Sequence, residues 1–205
     1  MATNFPTNID TFTDQTSSDL ITSAKWNNLQ DSIGALEEKV GADSSAVTTS
    51  HDYKLTELAT TLGNVGKIKA RAYQNSAQDI GPTPPTKILI DTISFDAEDV
   101  VNITNSRIVP NLPGYYIAIA NIRVDSVPDG KMVIAAIVKN DVLVTYGTMV
   151  NQGAAGYSVS IAQDLVYMNG TTDYLELYAY NTHSSALRLH VGYSFQNYIS
   201  ILGPF

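Results

Sequence analysis

The side chains that could carry chemistry in this 205-residue chain are few and are not grouped for it. Ser158 stands in Gly156-Tyr157-Ser158-Val159-Ser160, which has the first glycine of a nucleophile elbow but not the second. Its alternation of Tyr, Val and Ile reads as a strand. His51, His183 and His190 share no metal-ligand spacing. Asp96, Glu98 and Asp99 place oxygen donors in a loop-like stretch, without the spacing of an EF-hand. The glycine-rich run from Gly147 to Gly156 lacks the Gly-Lys-Ser/Thr of a phosphate loop. Asn102-Ile103-Thr104 and Asn169-Gly170-Thr171 match the glycosylation sequon, but the opening Met-Ala-Thr-Asn-Phe-Pro has no basic region or apolar stretch, so no secretory leader is expected. Cysteine is absent, which excludes disulfides, thiolate zinc sites, iron–sulfur clusters and thiol catalysis. A depolymerase would need paired carboxylates in a groove, and the acids here are scattered. No catalytic residue, cofactor or metal is expected, and the chain reads as non-enzymatic.

The most informative constellation is aromatic. Along residues 173–180, Leu175, Leu177 and Ala179 alternate with Tyr174, Glu176, Tyr178 and Tyr180. Apolar residues on both faces of one strand mean that both are largely covered. Three tyrosines on one face form a patch of the kind that marks interfaces. Tyr174, Tyr178 and Tyr180 are therefore expected at a subunit interface. A stacking platform for sugar rings and ordinary core packing are the alternatives.

The elements that would position these residues divide the chain in two. Residues 1–66 hold three Lys/Arg against nine Asp/Glu, the only tryptophan and one of the twelve tyrosines. Gly63-Asn64-Val65-Gly66 punctuates the break, and the basic cluster Lys67, Lys69 and Arg71 that follows reads as a solvated junction. Residues 1–19 are polar and aperiodic and read as an extended arm, with Phe5, Ile9 and Phe12 as isolated apolar anchors. Residues 20–66 carry two helical stripes. Trp26, Leu29, Ile33, Leu36 and Val40 are spaced 3, 4, 3 and 4 apart, with Ser23 as N-cap and Gly41 as the C′ residue. Leu55, Leu58, Leu62 and Val65 form the second, with Ser50 as N-cap. Sevens counted from Val40 reach Lys54 rather than Leu55, so the intervening linker must reset the register. Helices this short are marginal alone, and each stripe needs a cover: the other helix, the C-terminal region, or the same helix of other subunits.

From residue 70 onward the period is two. Strands are expected at 88–90, 93–95, 115–124, 132–139, 142–146, 157–161, 174–180, 187–193 and 195–202. They are separated by turn signals such as Pro113-Gly114, Asn140-Asp141 and Asn169-Gly170. That is the pattern of an antiparallel sandwich or jelly roll. The net charge of -8 and pI near 4.6 argue against nucleic acid or an anionic membrane as partner. No apolar run is long enough for a membrane-spanning helix.

Residues 67–205 resemble the C1q/TNF-like family. Pro113-Gly114-Tyr115-Tyr116-Ile117 is similar to its Pro-Gly-x-Tyr strand entry. Lys139-Asn140-Asp141 is similar to its Lys-Asn-Gly hairpin, and Tyr157 to Ile161 to the strand that follows. Asn169 to Leu177 resembles the Gly-Asp-x-Val-x-Leu strand, with two threonines inside the Gly-Asp pair. Tyr198-Ile199-Ser200-Ile201-Leu202 resembles the closing strand. The resemblance implies a trimeric jelly roll with the outer face of the 174–180 strand against the three-fold axis. Separately, Ala35 to Leu55, with Phe12-Thr13-Asp14 and Trp26-Asn27 before it, resembles an adaptor segment of tailed-phage structural proteins that recurs before different heads.

Together the resemblances imply a mainly β fold, a C-terminal antiparallel jelly roll preceded by a short helical stalk, assembled as a trimer. The expected protein is a phage virion spike or fibre, made in the host cytoplasm. Residues 1–19 would be the virion-anchoring arm, meeting other virion proteins through Phe5, Ile9 and Phe12. Residues 20–66 would be the stalk and residues 67–205 the head. The trimer interface would use Trp26, Leu29, Ile33, Leu36, Leu55, Leu58, Leu62, Tyr174, Tyr178 and Tyr180. The head would bind a host-surface receptor or glycan, at residues the sequence does not indicate. A capsid decoration protein or head fibre is the alternative, and a secreted C1q-like binding module a third.

Overall fold

The computed structural model describes residues 22–40, 46, 48, 50–149 and 153–205. The expected arm with Phe5, Ile9 and Phe12, the C′ residue Gly41 and most of the linker lie outside the described residues. The chain divides into two compact units, Met1–Gly63 and Asn64–Phe205.

In the first unit, helix α1 (Ser23–Val40) starts one residue earlier than the expected cap implies. Thr22 holds the cap position and its Oγ1 accepts from the Lys25 N–H at 3.3 Å. Helix α2 (His51–Asn64) is capped by Ser50 as expected, the Tyr53 N–H donating to its Oγ at 3.1 Å. Neither helix buries a residue within the chain. The stripe from Trp26 (52% exposed) to Val40 stands open, as do Leu55, Leu58 and Leu62. No described helix is long and apolar enough to cross a membrane.

Among the described residues the second unit contains thirteen strands: β1 (Ile68–Tyr73), β2 (Asp79–Ile80), β3 (Thr86–Lys87), β4 (Thr92–Asp96), β5 (Val101–Asn102), β6 (Arg107–Ile108), β7 (Pro113–Val127), β8 (Val133–Lys139), β9 (Val142–Tyr146), β10 (Gly156–Asn169), β11 (Leu175–Asn181), β12 (Leu187–Arg188) and β13 (Tyr198–Gly203). The first sheet runs β10-β7-β13-β1-β4. The second runs β5-β6-β11-β8-β9, with β3 also on β11, and β2 pairs with β12. Every pairing is antiparallel.

Strict alternation builds the core. Tyr116, Ala118, Ala120 and Ile122 of β7 point inward with Ile68, Ala70 and Ala72 of β1 and Ile199 and Ile201 of β13. Val133, Ala135 and Ile137 of β8 and Leu175, Leu177 and Ala179 of β11 complete it. The alanines face larger partners in register, Ala72 against Ile199 and Ala118 against Ile201, which is how such layers fill without voids. A Cβ on Gly203 would lie 2.6 Å from the Tyr116 ring, so only glycine lets that ring seat against β13. Burial pushes the Tyr116 hydroxyl up to about 12, and it donates to the Leu112 carbonyl at 2.8 Å.

Several expected boundaries move. The basic cluster is not a loop junction: Lys69 and Arg71 are the outward residues of β1, and Arg71 lies 3.7 Å from the Tyr198 ring centroid. Residues 88–90 are not a strand, because the Leu89 N–H is taken by the Gln78 side chain at 2.9 Å. The 187–193 strand shrinks to Leu187–Arg188. The 157–161 strand extends to Asn169, through Gln163 and Asp164.

Candidate functional site

The residues singled out for chemistry are used structurally. Ser158 and Ser160 of the elbow-like run are both buried inside β10, and Ser160 Oγ accepts from the Ala135 N–H at 2.9 Å and donates to the Thr148 carbonyl at 2.8 Å. Asp96 accepts from the Val100 and Val101 N–H groups at 2.9 and 2.8 Å, closing its own loop. His51 opens α2, His183 sits in a turn, and His190 pairs with Asp125 and stacks on Tyr193. Among the described residues no group of three or more His, Asp or Glu could hold a metal ion. Asn102 and Asn169 both cap turns. Asn169 Oδ1 accepts from the N–H groups of Thr171, Thr172 and Asp173 at 2.9, 3.0 and 3.1 Å.

The motifs at 139–141 and 169–177 meet. Lys139 Nζ reaches Asp173 Oδ2 at 2.8 Å, Asn140 Nδ2 donates to Asp173 Oδ1 at 2.7 Å, and the Tyr174 N–H donates to Asn140 Oδ1 at 3.0 Å. Burial alone would raise the Asp173 carboxyl, but these hydrogen bonds and the one from the Asn169 N–H outweigh it and hold it below the ordinary carboxylate range. Asn140 and Asp141 both have φ in the left-handed region, 50° and 64°, as a tight hairpin turn demands.

Two surfaces remain as candidates. One is the outer face of the first sheet. Tyr157, Val159, Ile161, Leu165 and Tyr167 of β10, Tyr115 and Ile117 of β7 and Leu202 of β13 are exposed there, Leu165 by 58%. Register joins them into one field: Leu165 lies opposite Ile117, which lies opposite Leu202, and Tyr167 lies opposite Tyr115. Such a contiguous apolar surface is uncommon on a free monomer. Sequence reasoning missed it, although the alternation through β10 carried the signal.

The other is the outer face of the second sheet, where Tyr174, Tyr178 and Tyr180 do lie side by side. All three are partly covered within the chain. The Arg107 guanidinium sits 3.8 Å from the Tyr174 ring centroid, the Tyr174 hydroxyl donates to Asp141 Oδ2 at 2.9 Å, and Tyr180 meets Tyr146 edge to face at 5.8 Å. Between them Glu176 is 1% exposed, its Oε1 held by Lys87 at 2.6 Å and Arg107 at 2.9 Å. Beneath the rings, Ile134, Ala136 and Val138 of β8 are buried although they point away from the core. Pro84, Pro85, Ala136, Val138, Asp141, Leu143, Tyr146 and Tyr178 enclose an open depression of about 270 Å³. The hydrogen bond to Asp141 raises the Tyr174 phenol; for Tyr178 burial is the main cause, followed by the charges of Glu176 and Asp141. Both hydroxyls stay protonated at neutral pH.

No protein-family model matches this chain, and no curated protein does. Solved structures do. Eiger TNF from S. frugiperda aligns over 67% of this chain and 92% of its own length, at 10% identity and a TM-score of 0.50. Murine APRIL at pH 5.0 aligns over 66% and 97%, at 6% identity and a TM-score of 0.52. The β unit has a TNF-like jelly-roll fold. The globular domain of zebrafish complement 1qA aligns over 66% of this chain and 96% of its own, at 10% identity and a TM-score of 0.47. The expected fold class thus holds for the strands, and two helices precede them.

Proposed function

We propose that this protein is a non-enzymatic structural component of a phage virion: a short homotrimeric spike or fibre whose N-terminal arm anchors it to other virion proteins and whose jelly-roll head meets the host surface. The observation that carries the reading is that each compact unit, taken by itself, leaves a continuous apolar surface uncovered. In the first unit it is the stripe from Trp26 to Val40, and in the second the field around Leu165 and Ile117. Copies of the same chain around one axis cover both kinds of surface with like patches. The likeness of residues 35–55 to a phage adaptor supports the virion setting. On the head we assign self-association to the outer face of the first sheet rather than to Tyr174, Tyr178 and Tyr180, whose rings are largely engaged within the chain.

Mass measurement in solution tests the assembly. A species near 22.2 kDa at micromolar concentration overturns the trimer. Deleting residues 1–19 tests the orientation: a folded trimer absent from purified particles is expected, and normal incorporation would make the head the docking end.

A further inference from the structure

The depression on the second sheet has the construction of a ligand site. Register sets its floor. Tyr178 of β11 and Tyr146 of β9 both lie opposite Ala136 of β8, so a methyl group occupies the middle of a row flanked by two phenol rings. Pro84 and Pro85 add a second apolar wall, and Asp141 supplies a carboxylate. The Tyr174 hydroxyl fixes that carboxylate through Oδ2, leaving Oδ1 to accept from a ligand.

We propose that this depression binds a single neutral pyranose ring of a host-surface glycan. The proposal rests on the reading of the head as host-facing and names the ligand class it takes. Size comes first: about 270 Å³ falls just under the usual range of ligand pockets, room for no more than one six-membered ring. Chemistry comes second. Phenol faces and prolines offer a surface to the C–H face of a sugar, while Asp141 and the tyrosine hydroxyls offer hydrogen bonds to its hydroxyl rim. Charge comes third. No basic residue lines the depression and the chain carries -8, which disfavours sialic and uronic acids. A cationic ligand is disfavoured as well, because Glu176 is spent on Lys87 and Arg107 and Asp141 is shared with Tyr174. The site lies on the opposite side of the sandwich from the apolar face assigned to self-association, so trimer formation through that face leaves it open.

The test uses the full chain and saturation-transfer NMR with the methyl glycosides of glucose, galactose, mannose and N-acetylglucosamine. N-acetylneuraminic acid and choline serve as the charged probes. Binding of at least one neutral glycoside is expected, with millimolar affinity, transferred through its C–H protons. Tyr178→Ala should weaken it at least about tenfold, equivalent to about 1.4 kcal/mol. Ala136→Leu, which adds bulk at the floor between the two tyrosines without removing either, should do the same, while Tyr178→Phe should retain most of the binding. Choline as the sole binder, N-acetylneuraminic acid as the sole binder, silence from all probes, or neutral binding indifferent to Ala136→Leu each overturns the site. Mass in solution, recorded on the same samples, separates the two failures. A trimer that ignores every sugar sinks this site alone, and a sugar-binding monomer sinks the trimer alone.

Discussion

On the first sheet, tyrosines and aliphatic residues alternate outward along β10 and stand largely exposed, with Arg123 and Lys139 near the two end rings. On the second, Tyr146, Tyr174, Tyr178 and Tyr180 also point outward, yet they cover Ile134, Ala136 and Val138 and share hydrogen bonds and ring contacts within the chain. Both faces are rich in the same residue types. What separates them is how closely polar partners engage the rings of the central strands. Lys87, Arg107, Asp141 and Glu176 are tied into the second face by ion pairs and a hydrogen bond, whereas on the first Arg123 and Lys139 lie 5.0 and 6.0 Å from the end rings Tyr157 and Tyr167 and the middle of β10 carries Gln163. On the proposed reading, the charged neighbours of a tyrosine-rich strand determine how much of it is left for a partner.

The contrast can be broken most severely on the first face. Ile117→Asp combined with Leu165→Asp puts two charges opposite each other in the field, each costing several kcal/mol if the surface is buried between subunits. Light scattering should show a folded monomer, whereas an intact trimer would return the interface to the β11 tyrosines. Next is Glu176→Ala, which strands Lys87 and Arg107 beside a buried gap. Removing one partner of such a cluster costs about 3–5 kcal/mol, read as a lower denaturation midpoint with the oligomeric state unchanged while folded. Third, Ile33→Asp should weaken assembly by about 1–3 kcal/mol without touching the melting of the β unit; an unaffected trimer would show that the stripe is not buried. The smallest effect concerns pH. Asp173 has a folded pKa below its unfolded one, so its contribution is complete above the unfolded value and is lost as pH falls through the folded value. Asp173→Asn should lower the thermal midpoint at pH 7 by a few degrees, and the gap to the parent should close in strong acid.

Much of the fold was legible because burial on one face imposes a period of two, clearest in β7 and β11 and in the Asn140-Asp141 turn. β1 was lost because Lys69 and Arg71, its outward residues, look like a charged junction until Tyr198 is found beneath Arg71. The second half of β10 was lost because Gln163 and Asp164 interrupt the apolar alternation, although Gln163 simply faces outward. Ile88-Leu89-Ile90 has strand composition, but the side chain of Gln78, just before β2, takes the Leu89 N–H, a relation that no periodicity records. For the candidate site, the tyrosines were visible and the depression was not, since it depends on Ala136 lying between two rings brought from β9 and β11.

The place of β13 governs the order in which the head can be made. That strand lies inside the first sheet, with β7 on one side and β1 on the other. Until residues 198–203 leave the ribosome, the sheet exists only as halves without a seam, and its pairing spans nearly the whole unit, from Ile68 to Gly203. Non-local closure of this kind is slow. The helices, by contrast, are synthesised first and close only local hydrogen bonds. In the proposed trimer, the helices of neighbouring nascent chains therefore gather while their β units are still open. The last strand to arrive then brings Leu202 beside Ile117, completing the apolar field only once each head is able to present it.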